Sequence, residues 1–237
     1  LVGSIEPGFG NVISDNKLDG IQLSSGTSNN TIIGNYIGVN ATGAADSGNF
    51  RNGVAIFDSN NNVIGGIAEG AGNIISGSVH NGILISSGEL DLGSFNNTIE
   101  GNTIGLGVDG SKEIMNFGSG ILIENSGNNT VGGSNINSGN TISGNREWGV
   151  RINGAKSTGN RLQGNIIGTD QLATVVKPNG LSGISIIEAS KTRIGGALPE
   201  QANIISGNEN IGIVSFGADA SGTEILGNYI GTNPPGV

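Results

Sequence analysis

The stretch "SSGTSNNTIIGNYIGVNATG", residues 24–43, decides the fold, because it returns with small changes at 93–110 ("GSFNNTIEGNTIGLGVDG") and at 156–170 ("KSTGNRLQGNIIGTD"). Each copy places single aliphatic residues at constant distances from glycine and asparagine. The chain of 237 residues contains 45 glycines, and the constant distances indicate ordered turns rather than a low-complexity segment. Self-similarity of this kind is typical of a repeat architecture.

Three short pieces recur in a constant order along the chain. The first reads G-[IV]-x-[IL], except that its seventh copy ends in Ser215. The second is an aliphatic residue followed two places later by glycine, and the third is an isoleucine in every copy. First pieces begin at Gly20, Gly53, Gly82, Gly120, Gly149, Gly183 and Gly212; second pieces centre on Ile32, Val63, Ile99, Val131, Leu162, Ile194 and Ile225; third pieces centre on Ile13, Ile37, Ile75, Ile104, Ile142, Ile167, Ile205 and Ile230.

These pieces predict an all-β solenoid. Very short strands with β-branched residues on alternate positions, separated by Gly and Asn turns, do not build a helix bundle or a doubly wound sheet. In a solenoid each turn of chain lays its strands on those of the turn before, ~4.8 Å away. We therefore predict a single domain over residues 1–237. It would contain about seven three-strand turns around an aliphatic core.

The distances between the pieces alternate from turn to turn. The gap from a third-piece isoleucine to the next first-piece glycine is either short, as in 13–20, or long, as in 37–53, in strict alternation. The gap from second to third piece alternates in the opposite sense, and its long form is irregular in one copy, 63–75. The structural unit is thus predicted to be two turns, since a loop that leaves and returns is two chain widths, ~10 Å, across. The three long loops, 39–52, 106–119 and 169–182, are equal in length.

Small polar residues mark the corners of the predicted coil. The residue after the third-piece isoleucine is serine before a short loop, as at Ser76, and glycine before a long one, as at Gly105. Glycine lets the backbone turn outward, while serine can hydrogen-bond a tight turn. At another corner we predict a column of stacked side-chain amides that satisfy backbone groups. Its members are Asn30, Asn61, Asn97, Asn129 and Asn160, followed by Thr192 and Thr223.

The run "NNTIIGNYIG" (29–38), "NGVAI" (52–56), "NNNVIGG" (60–66) and "GNIISGS" (72–78) resembles the parallel β-helix repeat family. This family comprises the right-handed single-stranded β-helices of pectate-lyase-like proteins and of many large bacterial surface proteins. The resemblance covers essentially the whole chain and implies a right-handed parallel β-helix. It does not select a function, because the family includes polysaccharide lyases, epimerases, hydrolases, adhesins and structural modules.

The composition narrows the range of partners. Ten Lys and Arg against nineteen Asp and Glu give a formal net charge of -9, so no basic surface for nucleic acid is expected. The chain has no cysteine for a disulfide or a thiolate metal site, and no apolar run long enough to insert into a membrane. We predict no cofactor. Calcium stays open, although the sequence contains neither the G-G-x-G-x-D nonapeptide nor a run of aspartates.

The outward positions of the first piece form two rows with many large apolar residues. On one interpretation, loops or a neighbouring protein chain cover this face. On the other, it binds polysaccharide, with Phe57 stacking on a sugar and Glu124, Arg151 and Asn153 supplying polar contacts. The rows are Gln22, Ala55, Leu84, Leu122, Arg151, Ser185 and Val214, and Ser24, Phe57, Ser86, Glu124, Asn153, Ile187 and Phe216.

The resemblance also implies a catalytic alternative, because enzymes of that family act through carboxylates, Lys or Arg on the solenoid face. Asp58, Glu124, Arg151 and Glu188 form the best such cluster. Two carboxylates that flank a bond can act as acid and base, but these residues are predicted to lie on different turns. No catalytic residue is therefore assigned. A polysaccharide lyase, epimerase or hydrolase remains the alternative.

Regularity without a visible catalytic group favours a rigid module outside the cell or on its surface, with a structural, adhesive or glycan-binding role. The first residues align with the middle of a repeat, and "GTNPPGV" (231–237) begins what would be a fourth long loop. We therefore expect a segment of a longer array, or a module that associates with its own copies end to end or side by side.

Overall fold

A computed structural model describes residues 1–232. In this range the chain coils through three parallel sheets, named A, B and C in the order in which a turn visits them. Sheet A contains Val2–Gly3, Thr31–Ile33, Val63–Gly65, Thr98–Glu100, Thr130–Gly132, Arg161–Gln163, Arg193–Gly195 and Glu224–Leu226. Sheet B contains Val12–Ile13, Tyr36–Ile37, Ile74–Ile75, Thr103–Ile104, Thr141–Ile142, Ile166–Ile167, Ile204–Ile205 and Tyr229–Ile230. Sheet C contains Ile21–Ser24, Val54–Phe57, Ile83–Ser86, Ile121–Glu124, Val150–Asn153, Ile184–Ile187 and Ile213–Phe216.

This arrangement confirms the predicted all-β parallel β-helix. The only helix in the described range is a short 3-10 helix, Pro199–Gln201, between sheets A and B. The last five residues, 233–237, lie outside that range, so the predicted fourth long loop falls largely beyond it.

Parallel pairing places equivalent residues directly above one another. In sheet B, Ile13 pairs with Ile37, and Ile37 pairs with Ile75. The inward columns of the three sheets merge into one core, in which residues such as Ile56 and Ile99 have no exposed surface. Because each buried aliphatic side chain contributes roughly 1.5–3 kcal/mol of gross stabilisation, these columns are the main favourable term that holds the coil together.

Sheet A corrects the predicted repeat in one turn. Ile64, and not Val63, pairs with Ile32 and Ile99 and is fully buried. Counted from Ile64, the stretch to Ile75 is as long as the equivalent stretch 131–142, so the irregularity in the spacing disappears. The prediction was wrong because residues 63 and 64 are both aliphatic and both stand shortly before a glycine.

The same shift affects the column of asparagines between sheets C and A. Asn62, and not Asn61, joins the column: its Nδ2 donates to Oδ1 of Asn97 at 3.1 Å, and its Oδ1 accepts from Nδ2 of Asn30 at 3.0 Å. Asn61 lies at the turn, with a φ of 58°. The asparagine part of the column is confirmed as far as Asn160, since the side-chain amide of Asn97 also donates to the carbonyl of Ser59 at 3.1 Å and Oδ1 of Asn160 accepts from the backbone amide of Asn129 at 2.9 Å. Its predicted continuation is wrong, because the buried hydroxyls of Thr192 and Thr223 find no hydrogen-bond partner among the described residues.

A longer asparagine ladder, which the sequence analysis missed, follows the corner between sheets A and B. Each side-chain Nδ2 donates to Oδ1 of the next asparagine at 2.8 to 3.0 Å. The ladder comprises Asn11, Asn35, Asn73, Asn102, Asn140, Asn165, Asn203 and Asn228. The amides also bond to corner carbonyls, so this buried polar corner is satisfied without water.

The two-turn period is visible in the long loops, each of which opens as a hairpin with one antiparallel bridge. The bridges are Val39–Asp46, Leu106–Glu113 and Thr169–Val176. Successive hairpins contact each other directly: the amide of Val108 donates to the carbonyl of Gly43 at 2.9 Å, and that of Gln171 to Gly110 at 3.3 Å. One hairpin therefore fills the height of two turns, as the loop-width argument requires.

The alternation of serine and glycine links neighbouring turns. Gly105, which leads into a long loop, has a φ of 89°, and a Cβ there would lie 2.1 Å from the carbonyl oxygen of Ser143. The hydroxyl of Ser76 accepts from the amide of Gly105 at 3.0 Å and donates to the carbonyl of Leu106 at 2.7 Å. The serine thus holds the start of the next long loop rather than its own tight turn.

Candidate functional site

The outer face of sheet C carries the residues that the sequence analysis selected for ligand binding. Both predicted rows are confirmed by the pairing: Leu122 lies beside Arg151, and Glu124 lies beside Asn153. Phe57 lies two turns before Glu124 in the same row. The face is only partly open, because most of its large side chains are half-buried. We call this surface the sheet C face.

A tryptophan that the sequence analysis did not select sits at the entry to this face. Trp148, the sole tryptophan of the chain, stands shortly before the strand Val150–Asn153 at the corner between sheets B and C. The guanidinium carbon of Arg151 lies 4.4 Å from the centroid of its ring, within cation–π range. Nε of Arg151 is buried and finds no acceptor among residues 1–232. The arginine is thus oriented by a ring rather than by a carboxylate.

Glu124 and Asn153 form the polar pair of the face. Nδ2 of Asn153 donates to Oε1 of Glu124 at 3.2 Å across neighbouring strands. Glu124 forms no ion pair within 4.0 Å inside the described range. Its remaining acceptor capacity and the second proton of the Asn153 amide suit the hydroxyl groups of a sugar.

Asp58 faces a loop rather than the sheet C face. Its carboxylate is buried and accepts from the amides of Leu90 (3.0 Å), Leu92 (2.9 Å) and Gly93 (3.1 Å). Burial opposes ionisation, but these amides and that of Gly88 outweigh it and lower the pKa of Asp58. Asp58 therefore anchors the loop of residues 87–93.

A lysine clamps the same loop from outside. Nζ of Lys156 lies 2.9 Å from Oδ2 of Asp91 and donates to the carbonyl oxygen of Asp91 at 2.9 Å. The hydrogen bond from Lys156 lowers the pKa of the Asp91 carboxyl. Because Lys156 belongs to a later turn, this contact holds the loop 87–93 along the edge of the sheet C face.

Glu188 also holds a corner. It follows the strand Ile184–Ile187 with a φ of 49°, and its Oε2 accepts from the amide of Asp219 at 2.8 Å. The structure therefore brings Glu124, Arg151 and Asn153 together on neighbouring turns. It places Phe57 in the same row at a distance, and it gives Asp58 and Glu188 backbone partners at the edge.

Two signals in the sequence point to the parts that were missed. The stretch from Ile85 to Ile99 is much longer than the equivalent stretch from Ile123 to Val131, and this difference marks the extra loop 87–93. The single tryptophan stands directly before a first-piece glycine, where every other turn except the last, which has Ile211, carries a small or polar residue such as Ser119. Lys156 gives no signal, since its contact joins loops that are distant in sequence.

The described residues form neither a metal cluster nor a membrane-spanning helix. Among residues 1–232, no group of three or more His, Cys, Asp or Glu side chains is placed to hold a metal ion. No helix in the same range has the length and hydropathy needed to cross a bilayer.

No family model and no curated protein sequence matches the chain. Among solved structures, the periplasmic alginate epimerase AlgG is similar with a TM-score of 0.62 and 17% identity, over 92% of this chain and 43% of AlgG. The A-module of the Azotobacter vinelandii mannuronan C-5 epimerase AlgE4 gives a TM-score of 0.59 and 21% identity, over 94% of this chain and 55% of that module. The chain thus spans about half the length of these structures. At these identities the likeness is one of fold, the parallel β-helix.

Proposed function

We propose that the chain is a polysaccharide-binding β-helix module that acts outside the cell and binds glycan on the sheet C face. The observation that carries the proposal is the Trp148–Arg151 stack, in which a guanidinium lies over a ring and keeps a buried Nε without an acceptor in the described residues. A planar cation held by an aromatic ring keeps its donors in a constant direction, and donors of this kind suit carboxylate and hydroxyl groups.

The rest of the face supplies what a sugar requires. A pyranose has apolar faces of C–H groups and a rim of hydroxyls, so it binds where aromatic rings lie near donors and acceptors. Phe57, Trp148 and the exposed Phe216 are aromatic rings of this surface. Glu124 and Asn153 are its hydrogen-bonding pair. Loop 87–93, held by Asp58 and Lys156, would form a wall on one side.

The fold suits a rigid scaffold for such a surface. Three corners carry amide ladders or parts of them, and the hairpins stack on each other, so neighbouring turns are joined by side chains as well as by backbone. A location outside the cytoplasm agrees with AlgG, which is named as periplasmic.

A carbohydrate-active enzyme is the second candidate. It is favoured by Glu124 and Arg151 on neighbouring strands and by the epimerase activity named for AlgG and AlgE4. Against it, two turns, ~10 Å, separate Glu124 from the carboxylates before and after it in the predicted cluster. The oxygens of Asp58 and one oxygen of Glu188 also bind backbone amides.

The single tryptophan provides a direct test of binding. Titration with pectate, alginate and a neutral polymer should change the fluorescence of Trp148 if a glycan lies on the sheet C face. Arg151→Ala should weaken binding on the order of tenfold, since it removes a charged contact. Arg161→Ala, which removes an exposed arginine from sheet A, is the matched control and should leave binding unchanged.

The same samples separate binding from turnover. Release of unsaturated or reducing ends, or a change in sugar configuration, that is abolished by Glu124→Gln would replace the binding proposal with the enzyme. If no polymer binds, or if Arg161→Ala weakens binding as much as Arg151→Ala does, the sheet C face is not the binding site.

A further inference from the structure

A second surface with aromatic and cationic side chains runs along the corner between sheets B and C. Equivalent residues of five successive turns lie in one column: Lys17, Phe50, Val79, Phe117 and Arg146. Backbone hydrogen bonds keep them in register, for example from the amide of Phe50 to the carbonyl of Asn16 at 2.8 Å and from that of Arg146 to Asn116 at 2.9 Å. We call this column the corner strip.

The rings of the corner strip are open to solvent. Phe50 is 66% exposed, Phe117 43% and Val79 42%. Both phenylalanines directly follow a buried asparagine, Asn49 and Asn116, at the ends of two successive long loops. They are therefore equivalent residues of two successive two-turn units, about 10 Å apart.

The local charge is opposite to that of the whole molecule. Over the five turns of the strip, residues 16–19, 49–52, 78–81, 116–119 and 145–148, three cations stand against two acidic residues, whereas the chain as a whole has a net charge of -9 with histidine neutral. The cations are Lys17, Arg51 and Arg146, and the acidic residues are Asp19 and Glu147. The guanidinium carbon of Arg146 lies 5.7 Å from the centroid of the Phe117 ring. Within residues 1–232, neither arginine forms an ion pair with a carboxylate.

We propose that the corner strip binds an extended, (1→4)-linked polysaccharide that carries carboxylates and lies along the axis of the coil. In such a chain with two-fold symmetry, every second sugar presents the same face, and this repeat is the length of a disaccharide. The spacing of Phe50 and Phe117 matches that length, so each ring can stack on one of two alternate sugars. Arg51 and Arg146 then lie where carboxylates of the polymer pass, and the guanidinium fork suits them.

This inference goes beyond the proposed function, because the corner strip adjoins the sheet C face at Trp148 but binds through other side chains. The two surfaces can be distinguished by variants. Trp148→Ala tests the sheet C face, and Phe50→Ala with Phe117→Ala tests the strip. Phe9→Ala is the matched control, because Phe9 is a highly exposed phenylalanine between sheets A and B. Thermal unfolding by circular dichroism shows whether each variant keeps its fold.

The probes are oligomannuronates of two and four sugars, polymannuronate, and neutral hydroxyethyl cellulose, measured by calorimetry. The tetramer should bind the wild type on the order of tenfold more tightly than the dimer, since only the tetramer contacts both rings, each worth about as much as an aromatic pair. Either Phe50→Ala or Phe117→Ala should remove this gain, and Arg146→Gln should weaken polymannuronate but not the neutral polymer.

Three results would overturn the inference. The first is equal binding of dimer and tetramer by the wild type. The second is a double variant, Phe50→Ala with Phe117→Ala, that binds like the wild type. If Trp148→Ala still loses affinity in that case, the inference about the strip fails while the proposal for the sheet C face stands. The third is a loss in Phe9→Ala as large as that in the strip variants.

Discussion

The A–B and B–C corners of the coil are built on the same asparagine ladder, but only the A–B ladder is continuous. At the B–C corner, Nδ2 of Asn16 donates to Asn49 at 2.8 Å, and Nδ2 of Asn116 donates to Asn145 at 2.9 Å. Between these pairs stands Ser78, whose buried hydroxyl finds no partner among the described residues. At the A–B corner each asparagine of the column reaches the next.

The difference shows which part of a ladder holds a turn. The backbone amide of Ser78 still donates to Oδ1 of Asn116 at 3.0 Å, and the side-chain amide of Asn49 still reaches the carbonyl of Ile13 at 3.1 Å. One defect therefore removes a side-chain bond without breaking the stack, because each repeat contacts both of its neighbours. Ladders of this kind therefore tolerate a gap, and the energetic cost of the gap can be measured.

The largest effect should come from breaking the continuous ladder. Asn102 donates to Asn140, to Ile64 and to Glu100, and accepts from the backbone and side chain of Asn73. Asn102→Ala leaves these buried groups without a partner, and we expect a loss of about 3 kcal/mol or more in the free energy of unfolding.

Asn116→Ala gives the matched comparison within the interrupted ladder. Asn116 donates to Ile75 and Asn145 and accepts only from the amide of Ser78, so its removal should cost about 1 kcal/mol less than that of Asn102. Denaturant unfolding of the two variants checks the order. Equal losses would show that the gap at Ser78 has no energetic consequence.

The next effect concerns Asp58, whose carboxylate accepts hydrogen bonds from the backbone of one loop, as the ladder asparagines do at a corner. Asp58→Asn should cost about 2 kcal/mol at pH 7, because a buried carboxylate that accepts from Leu90, Leu92 and Gly93 is replaced by an amide. Since folding lowers the pKa of Asp58, its contribution is present above the unfolded-state value and is lost as the pH falls through the folded value.

The loss in Asp58→Asn should therefore shrink on acidification, and proteases should cut within residues 87–93 sooner than in the wild type. Asp219→Asn changes an exposed aspartate that follows the last strand of sheet C, five turns after Asp58. It should cause neither a pH-dependent loss of stability nor faster cleavage of residues 87–93. A loss that is independent of pH would contradict this role for the Asp58 charge.

Repair of the interrupted ladder should be stabilising. In the other turns the ladder amide lies 2.8 to 3.0 Å from where a Cβ of the preceding first-piece glycine would stand, and Gly53 keeps the same space beside Ser78. Ser78→Asn should therefore accept from Asn49 and donate to Asn116, with a gain of about 1 kcal/mol. In that background Asn116→Ala should cost more than in the wild type, a coupling that a double-mutant cycle measures.

The smallest effect is expected on the outer side of sheet A, where Glu100 lies between Gly65 and the strand Thr130–Gly132. Partial burial raises the pKa of Glu100. Folding is therefore penalised as the pH rises through the unfolded-state pKa, and the penalty is complete above the folded one. Glu100→Gln should stabilise the protein by less than ~1 kcal/mol at pH 7, with the gain absent near pH 3. A gain that persists at low pH would point to packing instead.

The sequence repeat was enough to predict the fold. Ile37 and Ile104 occupy equivalent positions in two different turns, and both are fully buried. Because aliphatic residues that alternate along a strand point to the same side, all such isoleucines can be buried together only if the turns stack. The A–B ladder did leave a signal in the sequence, since an asparagine stands two residues before the third-piece isoleucine in every copy, as Asn35 does before Ile37. It was missed because asparagine is also abundant at the other corners and in the loops, where it has no common partner. The one register error, at Val63, arose where two adjacent aliphatic residues satisfied the same rule.

The candidate site was less accessible to such reasoning. Glu124, Arg151 and Asn153 could be placed on one face from the strand period alone, and their pairing is as predicted. The clamp of Lys156 on Asp91 and the stack of Arg151 on Trp148 depend on how loops and corners bend. The spacing of the sequence repeat does not predict these loop and corner conformations.

By itself the sequence determined the solenoid, the two-turn unit and the face to which each strand residue points, because burial and strand alternation are local and repeat in every turn. Only the tertiary structure decided what the non-repeating residues do. It turned Asp58 toward backbone amides and oriented Arg151 by a ring, because these contacts join segments whose distance is set by packing and not by spacing along the chain.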